Sequence, residues 1–449
     1  MVSVMRLTVV TLVIALLTPL AFADLLVCSV NGDRILRFSE VNGAYLGDFV
    51  PAGTGGLNEP QGMEYGPDGN LYVCSNDQHA ILRFDGQTGA FIDAFVPPGS
   101  GGLNSPGDLE FGPDGNLYVS SYGTDAILRY DGLTGAFIDV FVARGSGGLD
   151  TPAGLTFGPD GNLYVTTWNN GQVMRYDGQT GDFLGVFVND PLNLYPAIGV
   201  RFGPDGHMYV SGGLFHRVAK YNGTTGAFMG LFIPTGSGGL YGAFGFEWGP
   251  DGRFYLASYG GNSILRYDGT TGAFIDIFVT AGAGGLSQPG MIMFTPRPVT
   301  GNVQLSDYAS DKVSQVPVTL KVYKNGKLVR TATLTLDESG NYTLPNVVAG
   351  TYDFAFKASH WLQVVVRDVV VPKAGLAGLD VTLINGDIDG DNEVTLFDFG
   401  ALVAAFGSMP GDSNWNPDAD LDGDDEVTLF DFGVLVRNFG AIGDEIGGD

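Results

Sequence analysis

Two stretches near the end of the chain carry most of its usable chemistry. The first is Asp387-Ile-Asp-Gly-Asp-Asn-Glu-Val-Thr-Leu-Phe-Asp398. It returns 33 residues later as Asp420-Leu-Asp-Gly-Asp-Asp-Glu-Val-Thr-Leu-Phe-Asp431. Within each twelve-residue stretch the carboxylates fall at positions 1, 3, 5 and 12: Asp387, Asp389, Asp391 and Asp398, then Asp420, Asp422, Asp424 and Asp431. A loop with acids at those places can wrap its oxygens around one hard cation, and the chemistry is calcium ligation. Position 7, which ordinarily gives a backbone carbonyl, is Glu393 or Glu426, and position 9 is Thr395 or Thr428. Asn392 and Asp425 stand where the tight turn usually has Gly, and both types tolerate left-handed geometry. Two copies in register predict two calcium ions, one per loop, rather than two acidic surface loops.

The charge distribution agrees. Residues 385–449 hold 16 acids and one base, residues 297–384 hold 7 and 9, and residues 1–296 hold 26 and 12. Over half of the net −27 therefore sits in the last 65 residues. Such a surface repels nucleic acid and anionic membranes. At the other end, Arg6, the apolar run Leu7 to Leu20 and Ala21-Phe22-Ala23 read as a secretory signal cleaved near Ala23, which predicts a secreted or cell-surface protein without a transmembrane anchor.

A catalytic constellation is not legible. The chain has four His, no Gly-x-Ser-x-Gly elbow and no His pair at zinc spacing. The expectation is a binding or scaffold protein, not an enzyme; the alternatives are a lyase- or lactonase-type enzyme and a structural envelope component. Cys28 and Cys74 hold one position of adjacent repeats and read as buried thiols more readily than as a disulfide.

The elements that position these residues begin with a repeat. Tyr65-Gly-Pro-Asp-Gly-Asn-Leu-Tyr-Val73 returns four times, with prolines at 67, 113, 159, 204 and 250. Each unit reads as four short strands: A, Gly62 to Tyr65; B, Leu71 to Ser75; C, Ala80 to Phe84; D, Ala90 to Val96. Six B strands begin at Leu25, Leu71, Leu117, Leu163, Met208 and Phe254. The first lacks a strand A and the sixth is followed by a surplus one, Met291 to Phe294. This predicts a six-bladed β-propeller over 24–296, closed by pairing the last strand A beside the first strand B. The Asp-Gly-x-hydrophobic-Tyr-Val and Ile-Leu-Arg-Phe-Asp phrases, as in Asp114 to Val119 and Ile127 to Asp131, resemble the NHL repeat. That resemblance implies a propeller and leaves the activity open.

Glu64, Glu110 and Glu247 recur in strand A, and Arg37, Arg83, Arg129, Arg175 and Arg266 in strand C. Repetition reads these as ion pairs between blades rather than a carboxylate ring. Symmetry breaks near the fourth blade. Trp168 and Asn169 lie in a B–C loop, with Tyr122 and Tyr259 at the Trp168 position of other blades. These four form a candidate site for a carbohydrate or peptide on one propeller face.

Alternating Val316 to Val322, Val329 to Leu336 and Val364 to Val371, with Val348-Ala-Gly-Thr-Tyr-Asp353, resemble the small β-sandwich related to carboxypeptidase regulatory domains, over 297–384. Helices are expected after each acidic loop, from Leu396 to Phe406 and from Leu429 to Phe439. The EF-hand-like loop–helix pair over 385–440, with Asn416-Pro417-Asp418 between, resembles a type I dockerin; residues 441–449 form an acidic tail. That resemblance implies a protein partner, cohesin-like or from the envelope, touching Leu396, Phe397, Leu429 and Phe430. These are not the hydroxyl residues of cellulosomal dockerins.

Overall fold

The computed structural model describes residues 23–309 and 311–446. The expected signal segment, save Ala23, and the last three residues lie outside the described residues. Among the described residues no helix is long and apolar enough to cross a membrane.

Six four-stranded antiparallel sheets follow one another and make a β-propeller. The second has strands Pro60–Tyr65, Leu71–Ser75, Ala80–Phe84 and Phe91–Val96 in that order from the inside out. The first sheet borrows its innermost strand from the far end of the ring: Pro289–Phe294 pairs antiparallel with Leu25–Ser29, Leu25 facing Phe294 and Val27 facing Ile292. The ring closes as the surplus strand A predicts, and the first blade has four strands like the others.

The repeated residues hold blades to blades. Tyr72 of strand B packs edge-on between Phe95 of its own blade (centroids 4.8 Å) and Phe111 of the next (5.0 Å). Tyr118, Tyr164, Tyr209 and Tyr255 do the same. Each such pair adds to simple burial through the ring quadrupoles. The turn aspartate is more than a turn former: Asp68 accepts the Tyr72 hydroxyl at 3.0 Å, and Asp114, Asp160, Asp205 and Asp251 repeat the bond. The Gly-Ser-Gly-Gly loop also serves the next blade. Gly101, at φ 64°, lies under the Phe137 ring, where an added Cβ would come within 2.1 Å of it. The fifth blade has Asp190 and a short helix, Pro191–Leu194, in place of that loop, and its Phe228 is 51% exposed against 39% for Phe137.

Glu64, Glu110 and Glu247 do not pair with the strand C arginines, contrary to expectation. Arg83, Arg129 and Arg266 instead hold the strand D aspartates of their own blades, Asp93, Asp139 and Asp276, at 2.5 Å. Strands B and C intervene between strand A and strand D, so a strand C side chain on that face meets its neighbour in D first. Arg175 faces Gly185 and lacks such an aspartate. Cys28 and Cys74 are free and buried.

Beyond the ring come a three-stranded sheet, ordered Asn341–Leu344, Val299–Leu305, Val381–Leu383, and a four-stranded one, ordered Lys327–Leu334, Val318–Lys324, Gly350–Lys357, Val364–Val371. They share one core that includes Val299, Leu320, Phe354, Phe356 and Trp361. This unit meets the propeller through Asn346 Nδ2 donating to the Gly86 carbonyl at 2.6 Å, Asn325 donating to the Pro113 carbonyl at 3.0 Å, and Lys373 lying 3.3 Å from Glu247. Helices Leu396–Ala405 and Leu429–Asn438 follow the acidic loops, one residue shorter than expected at their C-terminal ends.

Candidate functional site

Each acidic loop ends where its helix begins, and one aspartate serves both. Thr395 and Thr428 are N-caps; their hydroxyls accept the Phe397 and Phe430 N–H groups, and Asp398 and Asp431 return the bond to the cap N–H, a full capping box. Asp398 also accepts Ile388 N–H at 2.7 Å and Asp389 N–H at 3.1 Å, so it folds the loop back over the helix start. Asp431 does the same with Leu421 and Asp422. Asn392 and Asp425 take φ of 72° and 69°, as their place in the turn requires.

The two loops do not pair through Val394 and Val427. Val394 bonds instead to Gly440 and Ala441 after the second helix, and Val427 to Gly407 and Ser408 after the first. Each loop is thereby pinned to the end of the other unit's helix, and Phe399 and Phe432 meet between the helices at 6.0 Å. Leu362 of the preceding unit enters the same core as Ile388, Val394, Leu402 and Leu435. That sharing has no signal in the sequence, because Leu362 lies outside every repeat.

Asp387, Asp389 and Asp398 offer oxygens within 4.8 Å of one another, as do Asp420, Asp422 and Asp431. A cation with oxygens at about 2.4 Å spans just such a set. The sharper indication is Asp387 Oδ1, which is buried and has no hydrogen-bond partner. A buried carboxylate oxygen left bare is costly unless something positive meets it. In the second loop, burial together with Asp431 and Asp424 pushes the Asp422 carboxyl up to about 6. Both observations fit a hard divalent cation. Asp391 and Asp424 stand outside these sets; each accepts the N–H of the glutamate two residues on, Glu393 and Glu426, whose side chains are exposed.

On the propeller, the B–C loops and the starts of the A strands surround the channel mouth. A cavity of about 250 Å³ there is lined by Gln61, Asn76, Tyr122, Trp168, Phe244 and Tyr259, among others. Tyr122, Trp168 and Tyr259 all line it. Asn169 does not join them: its Nδ2 lies 3.3 Å from Asp150. Asn76 holds the amide position instead, anchored by its Nδ2 on the Pro106 carbonyl. Phe244 was not singled out by the sequence; the signal is that its register position is Gln61, Gly107, Ala153, Ile198 or Gly290 in the other blades. Trp168 stands edge-to-face with Tyr122 (83°) and Phe244 (74°), and Phe244 stacks on Tyr259 at 4.0 Å. A second cavity, about 370 Å³, shares Trp168, Phe244 and Tyr259 and adds Tyr195, Leu214, His216 and Tyr241.

Deeper in the channel, Glu64, Glu110 and Arg201 lie at one register position of strand A. Burial raises both glutamates, Glu110 to about 7. Asp108, also raised by burial, is 3.7 Å from Arg201 and accepts Leu109 and Leu155 N–H groups. Glu64 and Glu110 likewise accept N–H groups of the next blade, from Phe111 and Phe157. These carboxylates join blade to blade, and the Thr156 hydroxyl lies 3.5 Å from Glu110 Oε1.

No family model matches the chain, and no curated protein matches it. Among solved structures, a chain in the crystal structure of a nidogen/laminin complex has a TM-score of 0.50 at 17% identity, covering 61% of this chain and 98% of that one. Virginiamycin B lyase from Staphylococcus aureus gives 0.37 at 16% identity, over 47% of this chain and 67% of that chain. A type II cohesin–X-dockerin complex from Acetivibrio cellulolyticus gives 0.28 at 20%, over 32% and 96%. At 17% identity the first likeness bears on fold alone, a β-propeller. The other two are weaker and add nothing to it.

Proposed function

We propose that the protein is a secreted two-ended adaptor: residues 385–440 form a dockerin-like module that docks a protein partner when two calcium ions are bound, residues 297–384 form a β-sandwich that carries it, and the propeller presents a recognition face. The observation that supports this reading is the pairing of acidic loops with bare helix faces. Leu396, Phe397, Leu429 and Phe430 are between 71 and 76% exposed, directly beside the loop carboxylates Asp398 and Asp431. Val403 and Val436 continue the apolar surface two turns further along each helix. Four large apolar side chains held in water at helix starts are the mark of an interface.

Calcium, when bound, neutralises the carboxylates that the loops crowd together. Asp387, Asp389 and Asp398 would hold one ion and Asp420, Asp422 and Asp431 the other, with Asp391 and Asp424 completing the sets. Asp398 and Asp431 fix the helix starts, so ordering of the loop is ordering of the apolar face.

The test is capture of partners from secreted and envelope fractions on the immobilised full chain. A partner retained in calcium should be released by chelator, and should not be retained by a variant carrying Leu396→Asp, Phe397→Asp, Leu429→Asp and Phe430→Asp. Retention indifferent to both chelator and variant would overturn the docking reading.

A further inference from the structure

The two cavities at the propeller mouth differ from the rest of the surface in what they lack. Neither is lined by an Asp, Glu, Lys or Arg side chain, although residues 1–296 alone hold 38 charged residues. Their walls are aromatic, and the polar groups among them are amides, hydroxyls and an imidazole. Several are uncommitted: among the described residues the Gln61 amide, the Trp168 indole N–H and the Tyr122 hydroxyl make no hydrogen bond to protein. His216 is held through Nδ1, which accepts the Gly242 N–H at 2.8 Å, so Nε2 is the ring nitrogen left for a ligand.

From this lining we infer that the mouth binds an uncharged oligosaccharide, one sugar ring in each cavity, on either side of the wall formed by Trp168, Phe244 and Tyr259. The inference rests on the adaptor reading only in taking the propeller as the recognition end.

Charge disfavours an anionic ligand, because residues 1–296 carry 26 acids against 12 bases and no cationic side chain lines the cavities to offset the repulsion. A cation would find ring faces but no lining carboxylate to pair with. A peptide bound as an added strand needs free main-chain groups. At the aromatic wall the N–H groups are already used: Tyr122, Trp168 and Tyr259 donate theirs to the carbonyls of Ser105, Thr151 and Gly242. What remains matches a sugar, which presents apolar C–H faces to aromatic rings and a rim of hydroxyls that both donate and accept. The volumes, about 250 and 370 Å³, are at the small end of ligand pockets and suit single rings. Two cavities sharing one wall suit a linked pair.

The experiment is calorimetric titration of the full chain, in calcium and again in chelator, with neutral linear oligomers of glucan, xylan, mannan and galactan. Tetramethylammonium and a Phe- and Trp-containing peptide form the comparison arms. At least one neutral oligomer should bind at millimolar concentration or below, equally in calcium and chelator. Trp168→Ala should weaken it by about tenfold or more, and Gln61→Ala, which removes one amide at the surface, by several-fold. Trp168→Phe should restore part of the loss, which separates a stacking role from a folding defect. No binding by any neutral oligomer, binding by the ammonium or the peptide alone, or oligomer binding unchanged by Trp168→Ala would each overturn the proposal. None of these outcomes touches calcium-dependent docking, and failure of docking leaves oligomer binding intact.

Discussion

The first and second acidic loops have nearly the same twelve residues and unlike neighbours. In the second, Asp420 is satisfied by its own loop: its oxygens accept the N–H groups of Gly423, Asp424 and Asp425 at 3.0 to 3.1 Å. In the first, Asp387 accepts only Asn392 N–H from its loop, and the Lys357 ammonium of the preceding unit contacts the same oxygen. Its other oxygen is the bare one. Lys357 also donates to the Trp361 carbonyl at 2.6 Å, so it is held in place from both sides. The second loop has a lysine as well, but Lys312 pairs with Asp425, which is exposed and occupies the turn position rather than a ligand position. The difference teaches that a repeated motif fixes the ligand set while the surroundings fix how much of its charge is already balanced. The first loop carries a built-in counter-charge; the second has its carboxylates, Asp422 above all, waiting for one.

The largest expected effect is that of removing the metal. Hydrogen exchange on the full chain should show protection lost in both helices on chelation, most completely in Leu429–Asn438, while the propeller strands stay unchanged. Repulsion among crowded carboxylates drives the loss, and binding to the folded form alone converts calcium affinity into stability. Asp420→Ala in calcium should reproduce the loss in the second helix and Asp387→Ala a smaller one in the first. Helices equally protected in chelator and calcium would break the comparison at its root.

A smaller effect is expected from Leu362→Ala. This side chain is fully buried in the tail's core although it belongs to the preceding unit. Truncating a buried Leu costs about 2–5 kcal/mol. Its neighbour Gln363 donates its N–H to Asn392 Oδ1 of the first loop, so Leu396–Ala405 should lose protection in calcium before Leu429–Asn438 does. The reverse order would show that the first loop owes nothing to the unit before it.

What the residues disclosed in advance, and what they did not, follows the same division. The period of the propeller, its closure by residues 291–294 and the convergence of Tyr122, Trp168 and Tyr259 are properties of a register, and a register is visible in a one-dimensional pattern. The helix starts at Leu396 and Leu429 are likewise local, set by Thr caps and their aspartates. The misreadings concern side-chain contacts that the repeat pattern does not encode. Asn169 turns to Asp150 because the loop bends after Trp168, and the strand C arginines meet strand D before strand A. Lys357 and Leu362 lie in a stretch with no repeat to compare, so nothing in the pattern marks them as partners of an acidic loop.

The smallest expected effect isolates the counter-charge itself. In an Asp420→Ala background only the first loop remains to bind calcium, and in an Asp387→Ala background only the second. Lys357→Met in the first background removes the ammonium that contacts Asp387 while keeping the apolar stem that packs beside Trp361. Calcium, relieved of a competitor for that buried oxygen, should bind several-fold more tightly. Lys312→Met in the second background should leave affinity nearly unchanged, because its partner Asp425 is 64% exposed and its charge is screened by water. Calorimetric titration of the full chain measures both. Equal shifts in the two backgrounds would show that the first loop does not feel its lysine. A fall in affinity on Lys357→Met would mean that the ammonium orders Asp387 for the metal instead of competing with it, and the counter-charge account of the first loop would be wrong in sign.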